Sequence, residues 1–432
     1  MKRLLLLGGG HAHVHVLREM ARDRIAGAEV TLVTPFARQM YSGMVPGVIA
    51  GHYRAEQAAI PLAPLAAAAG VTMIEGVVVA LDAGRRRVRL ASGQVLGYDV
   101  LSVNTGSEMD RGRLPGAREH ALFVRPVEHF LLEIDDMLDA AAQQALDVVV
   151  IGGGAAGFEL AMALQFRLGL LNADPGRVAL VLGGEQLLPG YPEGVRRRAA
   201  RALERARITV FRDTCVEIRV DAVVLASGAR VACDAPVLAT GSEAPAWLAG
   251  SGLALDGHGF IVTGPTLQSG SHPEVFAAGD VATRIDAPHP RSGVYAVRAG
   301  PPLVANLRAS CTGAPLVRHV PQPRSLNLLS CGRRSAIASR GGWVGSGRWA
   351  WWWKDRIDRA FVARYATTGP APAPGVEPAS VPAASAAAMT APTISPVSPA
   401  TPSAAPGSVS AGAAAPPEGG TARPVIPSAG TR

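Results

Sequence analysis

The chain is poor in cysteine. Its 432 residues include only four, Cys215, Cys233, Cys311 and Cys331, and no two of them form a CxxC pair. That spacing excludes a disulfide-stapled scaffold and a cysteine zinc site, so we expect a reduced, cytoplasmic setting.

Long hydrophobic runs are also missing. The apolar run from Leu4 to Leu7 is interrupted by three glycines, whereas a secretory signal needs an apolar core of about 7 to 15 residues. No stretch approaches the roughly 18 apolar residues of a membrane-spanning helix. We therefore expect neither a cleaved leader nor a spanning segment.

Basic residues exceed acidic ones, but they form no basic block. The formal net charge is +8, yet lysine and arginine are spread along the chain without interleaved aromatic residues. This pattern argues against a nucleic-acid partner. A diffuse basic surface is instead expected to attract anions such as dinucleotides or acidic lipids.

The residues that are present predict an α/β protein followed by a tail. Short β-branched strands, glycine turns and helical segments alternate, which is typical of a wound parallel sheet. From residue 366 to residue 432 the composition changes to Ala, Pro, Ser, Thr and Gly. This tail has too little apolar surface to offset its ordering entropy, so it is predicted to be disordered.

The strand, glycine turn and helix pattern occurs twice. KRLLLLGGGHAHVHVLREM at residues 2–20 matches DVVVIGGGAAGFELAMAL at residues 147–164, and each unit later reaches a strand that ends in Thr-Gly. Gly152, Gly154 and Gly157 complete a GxGxxG motif between a strand and a helix, where it predicts a turn for a dinucleotide pyrophosphate.

The first turn has Gly8 and Gly10 but carries His13 where the third glycine is expected. Either helix and strand lie further apart there, or the imidazole has a local partner. His11, His13 and His15 also suggest a metal cluster, but a third ligand at suitable spacing is absent, and pyrophosphate would occupy the same helix end. We predict no metal and interpret this stretch as a second dinucleotide turn.

A third motif is PEVFAAGDVAT at residues 273–283, in which a strand leads to Gly279 and Asp280. Together with both glycine turns and both Thr-Gly strands, it resembles the two-dinucleotide-binding flavoproteins of the pyridine nucleotide-disulfide oxidoreductase superfamily, over residues 1–310. Within that superfamily the chain is most similar to type II NADH dehydrogenases. Residues 41–53 and 292–307 look like a subgroup often fused ahead of selenide, water dikinase.

The resemblance implies an FAD-binding domain with an NAD(P)H-binding domain inserted in it. Its implied boundaries are 1–118 and 253–310 for FAD, 119–252 for NAD(P)H, 311–365 for a small C-terminal region and 366–432 for the tail. The residues expected to contact FAD are Gly8, Gly10, His11, Thr105, Gly106, Gly279, Asp280 and Gly293. Those expected to serve or border the nicotinamide nucleotide are Gly152, Gly154, Gly157, Glu185, Thr240 and Gly241.

Two positions depart from the superfamily pattern. Thr34 replaces the acidic residue that usually ends the second strand of the FAD unit. In the second unit, glycines occupy that position, with Glu185 just behind and no arginine immediately after it. An acid there favours NADH over NADPH.

The superfamily's disulfide reductases use a cysteine pair near the flavin, which this chain lacks in the corresponding segments around Ser42 and Phe158. The expected activity is therefore an NAD(P)H dehydrogenase that passes electrons through FAD to a quinone or another small acceptor. Glu159 is the candidate catalytic residue, because it begins the helix that would face the nicotinamide. The simpler alternative is a helix-start carboxylate stabilised by the dipole.

Five of the six tryptophans lie between Trp343 and Trp353. Helical spacing puts an apolar stripe on one side of this segment, formed by Trp349, Trp353, Ile357, Phe361 and Tyr365. The stripe predicts either peripheral contact with the inner face of the cell membrane or packing on the fold. Two other functions stay open: a selenium-metabolism reductase working with selenide, water dikinase, and a flavin-binding sensor without turnover.

Overall fold

A computed structural model describes residues 1–174 and 176–366. Its first sheet has five parallel strands whose spatial order is Val275–Ala277, Val100–Val103, Lys2–Leu7, Ala28–Thr34 and Thr72–Glu75. The first strand of the chain is central and buried on both faces, which explains its continuous run of leucines.

The two faces of this sheet have different covers. Leu4 and Leu6 point into a core formed with the helices His11–Arg22, Leu62–Ala69 and Gly293–Thr312. Leu5 and Leu7 point into a second core. That core is closed by an antiparallel sheet of Val78–Asp82, Arg87–Leu90 and Val95–Gly97.

The second sheet repeats this plan. Its five parallel strands run in the order Leu122–Phe123, Ala235–Leu238, Val148–Ile151, Val178–Val181 and Thr209–Phe211. One face packs on the helices Val127–Ala141, Ala155–Leu171 and Glu193–Arg205. The other packs on an antiparallel sheet of Cys215–Ile218, Ala222–Leu225 and Arg230–Ala232.

The first sheet is discontinuous in sequence, because every strand of the second sheet lies between Val103 and Val275 along the chain. This confirms the predicted fold class of two Rossmann-like units, one inserted in the other. The exact domain boundaries stay a prediction. The part of the predicted disordered tail that follows residue 366 lies outside the described residues.

The C-terminal region is a three-stranded antiparallel sheet followed by a helix. The strands are Asn327–Cys331, Arg333–Arg340 and Trp343–Gly347, and the C-terminal helix is Arg348–Tyr365. Smaller elements complete the described fold: the strand pairs Arg38–Met40 with Ala59–Pro61 and Ile261–Thr263 with Ala282–Arg284, and the short helices Val45–Ile49 and Ala117–His120.

The predicted apolar stripe of the C-terminal helix is divided between core and surface. Phe361 and Tyr365 are buried against the helix of the first glycine turn. Trp349, Trp353 and Ile357 are 39–46% exposed. The predicted stripe therefore does not have one environment along its length, and Trp351, on another side of the helix, is buried as well.

The helix Gly293–Thr312, called the long helix below, contains Pro301 and Pro302 in its interior. Neither proline has an amide hydrogen, so the carbonyl groups of Val297 and Arg298 have no helical partner four residues on. Among the helices of residues 1–174 and 176–366, none combines the length and the hydropathy needed to cross a bilayer.

Candidate functional site

The first glycine turn lies where the central strand ends at Leu7 and the helix begins at His11. Gly8 has φ +87°, and a Cβ atom there would lie 2.6 Å from Thr105 Cα. A Cβ atom at Gly10 would collide with the Asn104 side chain. Both positions therefore require glycine, because the Thr-Gly loop packs directly on the turn.

Asn104 fixes that loop to two other segments. Its Oδ1 accepts hydrogen bonds from the backbone amides of Ala12 (3.0 Å) and His13 (3.2 Å), and its Nδ2 donates to the Ala278 carbonyl (2.6 Å). One amide side chain thus caps the helix of the first turn and holds the strand that leads to Gly279. Sequence analysis missed this residue, although it directly precedes the Thr-Gly pair.

His13 has the local partners that its position requires. Its Nδ1 lies 2.6 Å from the Gly8 carbonyl oxygen and its Nε2 lies 2.8 Å from Ser102 Oγ. A carbonyl only accepts, so Nδ1 carries the proton and Nε2 accepts from the hydroxyl. Burial lowers the pKa of His13 to about 4, which keeps it neutral. The imidazole links strand, turn and helix where the second turn uses a glycine.

Two buried polar atoms beside the first turn have no hydrogen-bond partner within the described residues: His11 Nε2 and Thr105 Oγ1. Burial lowers the pKa of His11 to about 4, and Asp280 opposes this shift. A buried unpaired polar atom is costly, so these atoms fit a cradle whose remaining partner is a bound polar ligand. The glycine contacts and the orphaned atoms together suit the phosphates and ribityl chain of FAD.

The loop after strand Val275–Ala277 brings Gly279 and Asp280 to the same end of the first sheet. Asp280 is paired with Arg125, whose Nη2 lies 3.3 Å from Asp280 Oδ2. The same guanidinium donates to Ser107 Oγ in the Thr-Gly loop. Arg125 was not foreseen, because it follows a strand of the other sheet. Asp280 is thus prepositioned as an acceptor.

Gly293 begins the long helix, as predicted for the element that would face the flavin. A Cβ atom at this residue would lie 3.6 Å from Ser42 Oγ. The structure therefore brings the start of the long helix beside the segment after Tyr41.

In the second turn the three glycines have different surroundings. A Cβ atom at Gly152 would collide with the Ala239 carbonyl, and one at Gly157 with the Gly152 carbonyl. A Cβ atom at Gly154 meets nothing within 4 Å. The first and third glycines serve chain packing, whereas the space at Gly154 is open for a ligand phosphate.

The two Thr-Gly loops carry the same four letters, TGSE, at residues 105–108 and 240–243. Glu108 and Glu243 form an antiparallel bridge in which each backbone amide donates to the other's carbonyl (2.9 Å in both directions). Thr240 and Gly241 therefore lie close in sequence to the contact between the two units. Gly106 and Gly241, at the same position of the two loops, both have open space at their Cβ positions.

Glu185 is exposed beyond the second strand of the second unit. Its backbone carbonyl accepts a hydrogen bond from Arg212 Nη1 (2.9 Å). The fold thus supplies an arginine that sequence proximity did not reveal, from the loop after strand Thr209–Phe211. Because a cation accompanies the acid, the preference for NADH stays a prediction.

Glu159 is partly buried where the second-turn helix meets the C-terminal region. Its Oε1 accepts a hydrogen bond from the Ser330 amide (2.6 Å). Burial raises the pKa of Glu159, while the nearby Lys354 ammonium opposes the rise. Because the Ser330 amide of another element binds this carboxyl group, Glu159 differs from a helix-start carboxylate that contacts only water.

Lys354 is itself buried. Its Nζ donates to the Gly43 carbonyl (2.5 Å) and to Asp358 Oδ2 (2.7 Å). Burial raises the pKa of Asp358, and Lys354 counteracts this. Burial and Asp358 also raise the pKa of Tyr41, whose ring stacks on Phe361 at 4.4 Å. These ionisable groups connect the C-terminal helix to the segment after the first unit's second strand.

No group of three or more His, Cys, Asp or Glu in residues 1–174 and 176–366 is arranged to hold a metal ion. The three histidines of the first helix have separate environments: His11 is near Tyr41, His13 is hydrogen-bonded inside, and His15 faces another cavity.

Comparison with known proteins gives the following matches. A profile of the family described as pyridine nucleotide-disulphide oxidoreductase matches residues 2–300. Demethylphylloquinone reductase NdbB of Synechocystis is 26% identical over 353 residues, which cover 78% of this chain and 86% of that protein. An NADH dehydrogenase-like protein of Mycobacterium tuberculosis is 29% identical over 304 residues, covering 67% and 75% respectively.

Among solved structures, NDH2 from Plasmodium falciparum in complex with NADH superposes with a TM-score of 0.70 at 12% identity. The superposition covers 84% of this chain and 97% of that chain. At this identity the match shows a shared fold.

Proposed function

The chain belongs to the pyridine nucleotide-disulphide oxidoreductase family, and on that premise we propose that it carries electrons from a nicotinamide nucleotide through FAD directly to a quinone or another small acceptor. As a member of this family it is an FAD- and NAD(P)H-dependent oxidoreductase. FAD, when bound, supplies the group that accepts hydride and releases electrons.

The observation that carries the proposal is a pair of nucleotide cradles without a usable thiol beside them. All four cysteines are free. Cys331 lies close to Glu159, but burial, with a contribution from that carboxylate, raises the pKa of its thiol to about 12. A thiol in this state supplies almost no thiolate. Electron transfer without a cysteine relay fits these facts, and a quinone acceptor is supported by the relative named as a demethylphylloquinone reductase.

We assign FAD to the site formed by the first glycine turn and the Thr-Gly loop at Thr105 and Gly106, called the first cradle. Gly106 has open space at its Cβ position, the orphaned atoms of His11 and Thr105 supply unfilled polar contacts, and Asp280 supplies an acceptor. The long helix presents its amide end from Gly293. The proposed contacts are Gly8, Gly10, His11, Thr105, Gly106, Gly279, Asp280 and Gly293.

We assign the nicotinamide nucleotide to the site formed by the second glycine turn and the Thr-Gly loop at Thr240 and Gly241, called the second cradle. Open space at Gly154 and Gly241 leaves room for the ligand, and Glu185 with Arg212 is placed after the second strand, where the ribose is recognised. The proposed contacts are Gly152, Gly154, Gly157, Glu185, Thr240 and Gly241.

Glu159 is proposed to position the nicotinamide and to hold a proton near it. Its carboxyl group is held by the Ser330 amide, and burial raises its pKa above the ordinary value, so it binds a proton more readily than an exposed carboxyl group does. The positive charge of Lys354 limits that rise.

The proposed membrane contact rests on the tryptophan patch, which we define as Trp343, Trp349, Trp352 and Trp353. These side chains are 40–56% exposed. Arg348 and Arg356 flank them and form no ion pair within the described part of the chain. Exposed indoles beside arginines suit the headgroup layer of an anionic bilayer. An acceptor dissolved in the membrane would then be within reach.

Stopped-flow mixing of the purified FAD protein with NADH, and separately with NADPH, tests the function. We expect the flavin absorption to bleach and to recover when a water-soluble quinone is added. Bleaching without recovery by quinone or oxygen would support the flavin sensor instead. The selenium-metabolism reductase and its dikinase partner stay predictions from the sequence.

A further inference from the structure

A separate cavity of about 330 Å³ opens to solvent away from both glycine turns. Its walls come from the first-turn helix, the long helix, the chain that follows it and the end of the C-terminal helix. The polar groups that line it are His15, Arg298, His319, Gln322 and Arg364. No role in the proposed electron transfer has been given to any of them.

The cavity has positive charge and no acidic lining residue. Arg298 and Arg364 are exposed, and neither forms an ion pair within residues 1–174 and 176–366. The carboxylate on the same helix as His15 is Glu19, which already contacts two other arginines, Arg18 and Arg22. The two cavity guanidinium groups are therefore available to an external anion.

The remaining polar groups add donors. Gln322 Nε2 is buried and has no hydrogen-bond partner among residues 1–174 and 176–366. Burial and then Arg284 lower the pKa of His319 to about 4, and burial is the main cause of a lowered pKa at His15. His319 is thus neutral at pH 7 and has one N–H to donate, and the lowered pKa of His15 favours its neutral form. An unpaired buried donor gains most from a ligand that accepts hydrogen bonds.

One side of the cavity is apolar. Val297, Pro301 and the buried ring of Tyr365 line it beside the cationic groups. A volume of about 330 Å³ lies at the small end of the range for metabolite pockets. The ligand that complements this arrangement has an acidic group at one end and a compact apolar body at the other.

We propose that this cavity binds a small organic anion, a carboxylate or phosphate monoester carrying an aromatic or aliphatic body, through the guanidinium groups of Arg298 and Arg364, which both line it. Planar guanidinium groups match both kinds of oxyanion, and two of them can share one acid group. None of the cavity's polar groups is assigned to either nucleotide, and His319 also borders a smaller cavity lined by Gly279.

Calorimetric titration of the full-length FAD protein tests the proposal with three probes of equal body: naphthalene-2-carboxylate, 2-naphthyl phosphate and the uncharged naphthalene-2-carboxamide. We expect saturable binding of one or both anions, and binding of the amide at least about tenfold weaker, since charged hydrogen bonds are worth more than neutral ones. Inorganic phosphate alone shows whether the apolar body contributes.

The variants Arg298→Ala/Arg364→Ala and Arg298→Gln/Arg364→Gln should each weaken anion binding at least about tenfold. The matched control is Arg356→Ala, which removes an exposed arginine from the same helix as Arg364 and should leave binding unchanged. FAD content and thermal unfolding report whether each variant is folded. Equal affinity for the amide, unchanged binding in the double variants, an equal loss in Arg356→Ala, or displacement of the probe by NADH would overturn the proposal.

Discussion

At the scale of single residues, Asn104 shows how distant segments define a binding turn. Its two amide atoms connect the first helix with Ala278, which directly follows strand Val275–Ala277 and is 174 residues away from Asn104 in sequence. Arg125 similarly connects Asp280 to Ser107. Such contacts between distant segments decide which of many polar residues lies in the site.

Asp280→Ala should yield protein that purifies with much less flavin. Loss of a charged acceptor, worth about 1.5 to 3 kcal/mol, weakens FAD binding by roughly tenfold to a hundredfold. The measurement is the ratio of flavin absorption to protein absorption. Glu274→Ala, at the other end of the same strand, is the control and should stay yellow; full flavin occupancy in Asp280→Ala would exclude the assigned contact.

Glu159→Gln should stabilise the folded protein at neutral pH. The pKa of Glu159 is raised in the fold above its ordinary 4.5, so ionisation costs stability as the pH rises through the folded value. Each unit of that rise is worth about 1.4 kcal/mol, and the gain should vanish as the pH falls below 4.5. Thermal unfolding from pH 4 to pH 8 measures it.

The same variant separates a positioning role from a structural one. If Glu159 positions the nicotinamide, reduction of the flavin by NADH should slow although the protein is more stable. The control is Glu133→Gln, a half-buried carboxyl whose pKa burial also raises; it should leave the reduction rate unchanged. An unaltered rate in Glu159→Gln would leave only the structural role.

The residue scale is also where sequence analysis reached its limit. It proposed the glycines and Asp280 as candidates, because motif residues have fixed positions along the chain. It could not identify Asn104, Arg125 or Arg212, because each acts through a contact between segments distant in sequence. Periodicity and motif spacing do not encode such contacts.

At the scale of elements, the second glycine turn allows ligand effects to be separated from folding effects. Gly154→Val should leave FAD binding and thermal stability nearly unchanged, because its Cβ meets no atom within 4 Å. The apparent constant for NAD(P)H should rise by at least about tenfold, since the side chain would occupy the space of the phosphates. Steady-state kinetics measures the change.

Gly157→Ala is the contrasting variant for that experiment. Its Cβ would collide with the Gly152 carbonyl, so it should lower the midpoint of thermal unfolding. Loss of flavin in Gly154→Val, with an unchanged response to NAD(P)H, would mean that the two nucleotide assignments are reversed.

The membrane hypothesis can be tested by substitutions in the C-terminal helix, without deletion of the helix. Removal of the helix would delete Trp351 and Phe361, which are buried, and would expose the core residues that they cover. We therefore predict that Trp349→Ser/Trp352→Ser/Trp353→Ser abolishes sedimentation with anionic liposomes at low salt and retains FAD. Each ring that loses roughly 80 Å² of water contact contributes about 2 kcal/mol to binding, and the arginines add an attraction that salt weakens.

The control for this measurement is Leu132→Ser/Leu170→Ser, which removes two exposed leucines elsewhere (58% and 63% exposed). It should sediment like the parent protein. If the parent does not sediment with anionic liposomes, the tryptophan patch does not bind membranes.

Element prediction succeeded where the pattern was local and failed where it was not. The two helices after the glycine turns begin where expected, because strand, turn and helix are consecutive. Part of the aromatic stripe of the C-terminal helix is buried and part is exposed. Its burial depends on contacts with the first-turn helix and the preceding sheet. Those partners are remote in sequence.

At the scale of the whole molecule, the two units meet through equivalent residues. The bridge between Glu108 and Glu243 joins the same position of two TGSE segments. The nested topology could be predicted because its repeated motifs occur in order along the chain. The bridge could not, since repeated letters do not specify a contact.

Removal of FAD should lower the midpoint of thermal unfolding, and added FAD should restore it. The first cradle joins strands from both ends of the discontinuous unit and leaves buried atoms of His11 and Thr105 unpaired without a ligand. Free FAD at 100 times its dissociation constant adds about 2.7 kcal/mol to stability. Equal midpoints for the apoprotein and the reconstituted protein, by differential scanning calorimetry, would contradict this.

The paired prolines give the long helix unequal stiffness along its length. Its distal half is clamped through Asn306, which donates to the Thr266 and Val317 carbonyls and accepts from the Val317 amide. Between that clamp and Gly293, Pro301 and Pro302 remove two of the hydrogen bonds that transmit bending along a helix. We therefore expect the helix to bend more easily at the prolines than in its distal half. The end that would face the flavin could then shift slightly without moving the sheet.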